Sequence, residues 1–438
     1  MAVPQRSPSR SRPTPEGRLM ASSLPWGEEI EILAELGFLV REFTLNSSTL
    51  NGSDVLDGTL EGLDIAPYVQ EARISRGRQD QLASFSAGSL SLKLLNNDRR
   101  FDPLNQDSPY WDAAAGRSGV VPRRKVSISA DGEPLFVGRI IDVDVQYDPA
   151  PSGKDRSTAV LTCADDFQIL ANTATEAAVT PSAQLSGARV SYLLDLPEIG
   201  YPATRDIDTG VASLGSYQIA ENTNALTYLQ RIAEAEQGLC FIARGGDLTF
   251  LDRSATSFSN PVESFSDSGI GIPYQTLSIR YGSEILFNKV VVTPEGATPQ
   301  TADDAASQTE FGIQTLTLSD SLLGSEAQAL SLAEDLIGQF SEPEYRFDAM
   351  SLILNDKSEA DRVAILGLEI GDQISITRTF ASGSPLQVSD TYQIQSISHQ
   401  ITPGAHTVGI GLAWISIVYQ FLLNDPEFGV LDADNALA

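Results

Sequence analysis

The chain has 438 residues, 42% hydrophobic and 20% charged, with 34 glycines and 23 prolines. This ordinary globular composition is too long for one core and rich in turns, so several domains built of many short strands are expected. A net charge of −29 argues against direct nucleic-acid binding, and two cysteines without a CxxC pair and only two histidines leave little room for thiol or imidazole catalysis.

Residues 1–25 read as a flexible basic arm: Arg6, Arg10, Arg12 and Arg18 sit among Pro and Ser, and no apolar stretch of a secretory signal follows. Residues 26–172 read as a first β-barrel module. Glu28–Leu39 is apolar but of ambiguous type, and Asn46–Gly62 reads as loop. Leu90, Leu92 and Leu94 then alternate with polar residues at the period of a half-buried strand. Asn96–Pro103 is dense in oxygen ligands but lacks the spacing of a calcium loop, so it reads as a turn in which Asn and Asp bond their own backbone. Val137, Ile141, Val143 and Val145 are expected on one strand face, opposite Asp142 and Asp144. Asp148–Gly153, with two prolines, must be a connection. Cys163 and Cys240 read as buried free thiols.

Residues 173–270 read as a small α+β insertion domain. Asn224 can cap a helix whose stripe is Leu226, Leu229, Ile232 and Ala233, and Gly238 can end it. Leu239–Ala243 and Leu248–Leu251 flank a Gly245-Gly246-Asp247 turn. Residues 271–423 read as a second β-barrel module, its strands starting near Tyr281. Gly296–Ser307 is expected to be a mobile loop. A helix near 325–340 opens with the capping box Ser325-x-x-Gln328, and Ala327, Leu330, Ala333, Leu336, Ile337 and Phe340 form its apolar face. His399 and His406 are seven residues apart across a predicted hairpin, close enough to pair. No ligand motif accompanies them, and no metal or cofactor is expected. Residues 424–438 form a polar, acidic tail.

One β-module occurs twice. Ser89–Asp98 recurs in outline as Asp348–Asp356, Lys125–Ser129 as Gln373–Thr377, Phe136–Val143 as Tyr392–Ile397, and Ala159–Cys163 as Thr407–Leu412, in the same order at an offset of about 250 residues. The fold class is therefore mainly β: two similar β-barrel-like modules plus a small α+β domain. Two such modules per chain let three chains present six similar units, the arrangement needed to join a three-fold object to a six-fold ring.

Several stretches resemble the baseplate-hub or tail-tip minor tail proteins of long-tailed bacteriophages: Ile74–Arg78, Phe85–Leu90, Leu95–Pro103, Thr227–Ala233, Leu248–Arg253, Gln395–Gly404 and Leu423–Leu431. The resemblance implies a homotrimeric hub in the virion, at the tail tip or baseplate. Its two barrels per chain would form a pseudo-six-fold ring on the distal tail protein or tail tube protein. Its three-fold face would carry a spike, fibre or other tip protein, and DNA would pass the lumen only transiently. It implies no enzyme activity, and no segment is left over for a hydrolase domain. The residues expected at an interface or in a core are Trp414, Ile415, Val418, Tyr419 and Phe421, in a run more apolar than a solvated tail end but too short to span a membrane. The alternative is a β-module adhesin or carbohydrate-binding tail protein, for which Tyr110 and Trp111 are the one aromatic cluster. A tail-tip hydrolase finds no candidate carboxylate pair.

Overall fold

Alternating apolar side chains decide where the strands form, and in a computed structural model of the chain Leu90, Leu92 and Leu94 are fully buried on one strand face. The structure describes residues 32–39, 60–79, 81–112, 116–148, 157–254, 260–283, 285–343, 345–414, 419–420 and 435–436. The basic arm lies outside them. Thirteen strands make one sheet. They are β1 Ile32–Leu39, β2 Leu60–Asp64, β3 Val69–Gly77, β4 Ser89–Leu95, β5 Lys125–Ala130, β6 Glu133–Gln146 and β7 Thr158–Ala164, then β8 Glu263–Ser266, β9 Thr276–Arg280, β10 Arg346–Ile353, β11 Gln373–Thr379, β12 Gln387–Thr402 and β13 Ala405–Trp414. The described strands do not close a barrel; the two modules are parts of a continuous sheet.

The duplication read in the sequence is a duplication of topology. In the first half the hydrogen-bonded order is β3-β4-β7-β6-β5, and in the second it is β9-β10-β13-β12-β11. Every one of these pairings is antiparallel. Even the irregularity is repeated: β6 is bulged between Ile140 and Asp142 against β7, and β12 between Ile394 and Ser396 against β13. The outer partners differ. β1 adds antiparallel to β5, whereas β8 adds parallel to β11. The halves are joined where the second part of β12 pairs with β3, from Ser396 opposite Gly77 to Ile401 opposite Ala72.

Helix α1 Phe167–Ala171 leads into the insertion, which carries α2 Ser186–Leu194 and α3 Ala225–Glu236. Asn224 caps α3 by accepting the Thr227 N–H, and Gln237 ends it in the left-handed conformation, one residue before the expected glycine. Its buried face is Ala225, Tyr228, Leu229, Ile232, Ala235 and Glu236, rotated from the expected stripe. The rotation has a polar cause. The Glu236 carboxylate is fully buried and accepts the Ala212 N–H at 2.7 Å and the Ser186 hydroxyl at 2.6 Å, and the Tyr228 hydroxyl accepts from buried Arg189 at 2.9 Å. Strands Leu239–Ile242 and Leu248–Leu251 form the expected hairpin.

Between β9 and β10 lies a second small α+β unit. Lys289–Pro294 pairs with Gln300–Asp303 and Thr315–Ser321, and helices α4 Ala305–Phe311 and α5 Glu326–Phe340 accompany them. Ser325 caps α5 as expected, its hydroxyl accepting the Gln328 N–H, but the buried face is Ala329, Leu332, Ala333, Leu336 and Phe340, with Ala327 exposed. Four expectations need correction. Gly296–Ser307 is not a loop: it holds a strand and the start of α4, because Asp304 accepts the Ala306 and Ser307 N–H groups and caps the helix. Leu60–Gly62, expected as loop, belongs to β2; Ile32–Leu39, of ambiguous type in the sequence, is a strand. The second repeat begins before Tyr281, with β9 Thr276–Arg280 already paired to β10. Val137 and Ile141 do not share the face of Val143 and Val145: before the bulge the core face is Phe136 and Ile140, with Val137 opposite, and the bulge turns Ile141 to solvent, 44% exposed. Helix α6, Glu359–Gly367, was not foreseen.

Candidate assembly surface

Of the five side chains expected at an interface, the structure describes one. Trp414 ends β13 opposite Tyr392 and is half-buried. It lines a small cleft with Gln79, Arg280, Gly282 and Asp348. Ile415, Val418 and Phe421 lie outside the described residues. Tyr419 sits in a two-residue strand that pairs parallel with Asn435–Ala436, and its side chain is not described. Leu412 and Ala413, just before Trp414, are buried in the sheet core.

The joint between the halves is polar and partly buried. Arg76 on β3, its side chain 3% exposed, forms an ion pair with Glu369 at 2.9 Å. Glu369 also accepts the Arg244 N–H at 2.7 Å, and Arg244 bonds Glu133 at 2.8 Å. Arg362 of α6 reaches Asp131, beside β5, at 2.7 Å. One charged network therefore ties the first half, the insertion and the second half together. At the strand crossing, Arg78 donates to Gln395 at 2.7 Å, and Gln395 donates to Gln393 at 2.8 Å. Gly77 has φ +104°. A Cβ there would come within 2.6 Å of Ser396 Cα and closer still to the Gln395 carbonyl. Only glycine lets β12 approach β3 this closely.

The two histidines meet as their spacing predicts, with His399 Nδ1 3.1 Å from His406 Nε2 and the His406 N–H on Asn355 Oδ1 at 2.8 Å. Burial pushes His399 well down and His406 to about 4, so both are neutral at pH 7. Asp165 is pushed up to about 7, chiefly by burial. It accepts the Gly88 and Phe167 N–H groups and so ties the loop before β4 to the start of α1. Among the described residues, no group of three or more His, Cys, Asp or Glu side chains is placed to hold a metal, and no helix is long and apolar enough to cross a membrane. Cys163 and Cys240 are both buried free thiols.

Of the two aromatic residues that could stack on a sugar, Tyr110 faces inward. Tyr110 is 9% exposed and stacked on Phe101 at 5.4 Å, and Trp111 is half-buried in a two-residue ribbon. Asn96 and Asp102 form the expected turn beneath it, accepting the Phe101 and Leu104 N–H groups. A cavity of about 450 Å3 between the sheet and the two α+β units is lined by Arg78, Phe85, Gln230, Cys240 and Leu336, among others.

No family model matches the chain, and no curated protein matches it. Solved structures do. The tail protein from Neisseria meningitidis superposes with a TM-score of 0.54 at 10% identity, over 87% of this chain and 96% of that one. The 43 kDa tail protein of prophage MuSo2 from Shewanella oneidensis superposes with a TM-score of 0.52 at 12% identity, over 87% and 97%. The chain therefore has the fold of phage tail proteins, over nearly the full length of both.

Proposed function

We propose that this protein is a structural component of a phage tail, a homotrimeric hub in the baseplate or tail tip. Three chains, each carrying the five-strand unit twice, would present six similar units to the distal tail protein or tail tube protein. The opposite three-fold face would hold a spike, fibre or other tip protein, and the acidic lumen would let DNA pass without sticking. The observation that carries this reading is the repeat of strand order and bulge within one continuous sheet; the fold shared with two tail proteins supports it. On this reading the protein is not an enzyme, and the boundaries 1–25, 26–172, 173–270, 271–423 and 424–438 remain its working division. The inward packing of Tyr110 speaks against the sugar-binding alternative. Gold labelling of an epitope-tagged chain in phage particles tests the proposal. Label at the distal end of the tail is expected; particles with normal tails and no label would contradict it.

A further inference from the structure

The repeat leaves two sheet edges open that are each covered, in the other half, by the chain itself. In the second half the outer edge of β12 beyond its bulge is covered by β3. The matching edge in the first half is β6 beyond its own bulge. β5 covers β6 only from Glu133 to Arg139, and among the described residues no strand lies along the outside of Ile141–Gln146. Conversely β3, inside the joint, is paired on both sides, whereas its counterpart β9 is the last strand of the sheet. Unpaired strand edges recruit other strands.

We infer that β9 of one copy of this chain adds antiparallel to the second part of β6 of the next copy, reproducing between chains the β3–β12 joint. The repeat supplies the register. The bulges align Ile140 and Asp142 with Ile394 and Ser396, so Asp144 takes the place of Ser398 and Val145 that of His399. Ala72 faces Leu92 and Leu277 faces Met350, which aligns Arg-Ile-Ser-Arg-Gly at 73–77 with Ser-Ile-Arg-Tyr-Gly at 278–282. Ser398 lies opposite Ser75 and His399 opposite Ile74; the interchain counterparts are Asp144 opposite Arg280 and Val145 opposite Ile279.

Three independent features fit a second copy there. The charges are complementary: Asp142 and Asp144 line one edge, and Arg280, ion-paired with Asp348 at 3.2 Å within the chain but with its side chain still 56% exposed, lies on the other. Apolar groups are exposed on both edges, where their counterparts in the joint are buried. Ile279 is 43% exposed and Tyr281 57%, against 2% for Ile74 and 4% for Arg76. Tyr147 is 51% exposed, against 3% for Ile401. Finally Gly282, the counterpart of Gly77, has nothing within 4 Å of a Cβ built on it, so nothing within the chain crowds that position as β12 crowds Gly77. The contact is head-to-tail, which closes as a ring when the rotation permits. The number three rests on the hub reading above; the pairing itself does not.

The test is short bismaleimide cross-linking of co-expressed chains. Asp144→Cys and Arg280→Cys are both exposed, and buried Cys163 and Cys240 will not compete. Chains carrying both substitutions should run as a covalent trimer, a mixture of the two single variants as a dimer, and either single variant alone as monomer. Ser75→Cys with Ser398→Cys, the intrachain equivalent, is the positive control. Gly282→Val should leave the circular dichroism and urea midpoint of the isolated chain unchanged and abolish the cross-link. A trimer by light scattering that gives no Asp144→Cys to Arg280→Cys cross-link would overturn the pairing and leave the hub reading standing. Cross-linking of Asp144→Cys chains to one another would also overturn it. A chain that stays monomeric alone and with its tail neighbours would overturn both.

Discussion

Gly77 and the His399–His406 pair carry the clearest consequences at the scale of single residues. Gly77→Ala forces a side chain into a left-handed backbone against β12. Backbone strain alone should cost about 1–3 kcal/mol, read as a lower urea midpoint, while Gly282→Ala should leave it unmoved; equal effects would show that the joint does not crowd Gly77. The histidine prediction follows from linkage. A histidine whose folded pKa lies below its unfolded value binds fewer protons when folded, so stability is full above the unfolded pKa of about 6.5 and falls as pH drops toward the folded one. For His406 that window runs from about 6.5 down to about 4, and at pH 5 the loss is on the order of 2 kcal/mol. Replacing both histidines by Gln should flatten stability between pH 7 and pH 5 relative to the wild type, and an unchanged pH slope would contradict the assignment. The pair was legible in the sequence because seven residues across a tight hairpin bring two side chains together. Ile141 was misplaced because alternation assumes a regular ladder, and a bulge shifts every later side chain.

The repeated strands were readable at the scale of elements because each carries its own alternation, and Leu94 and Leu352 are both fully buried. Leu94→Ala and Leu352→Ala should each cost about 2–5 kcal/mol. Because β12 and β3 weld the halves into one sheet, both variants should shift the same single calorimetric transition; two transitions, each moved by one variant, would show that the halves fold apart. The caps of α3 and α5 were also legible, since Asn224 and Ser325 announce them. Helix faces were less so: the buried side of α3 is set by Glu236 and by Tyr228, partner of Arg189, polar anchors that an apolar stripe does not register. Helix α6 escaped notice because one of its three buried residues is Arg362, paired with Asp131 more than two hundred residues away. The pairing of β3 with β12 was invisible for the same reason: it depends on Gly77 and on a charged network drawn from three parts of the chain.

For the molecule as a whole, a five-strand unit present twice in one chain supplies one third of a six-fold arrangement, which is complete only if the chain trimerises. Its acidity, −29 per chain, opposes self-association at low salt, so assembly has to come from specific edges rather than from general stickiness. Trp414→Asp or Val418→Asp should impair folding or assembly of infectious particles; a normal particle yield from both would remove the C-terminal run from the account. The most direct test of the hub reading is the mass of the purified protein by light scattering, alone and with its tail neighbours. A trimer, or a monomer that becomes three copies on a six-fold ring, is the predicted result. A monomer indifferent to every tail protein would contradict it and leave the duplication without an assembly role.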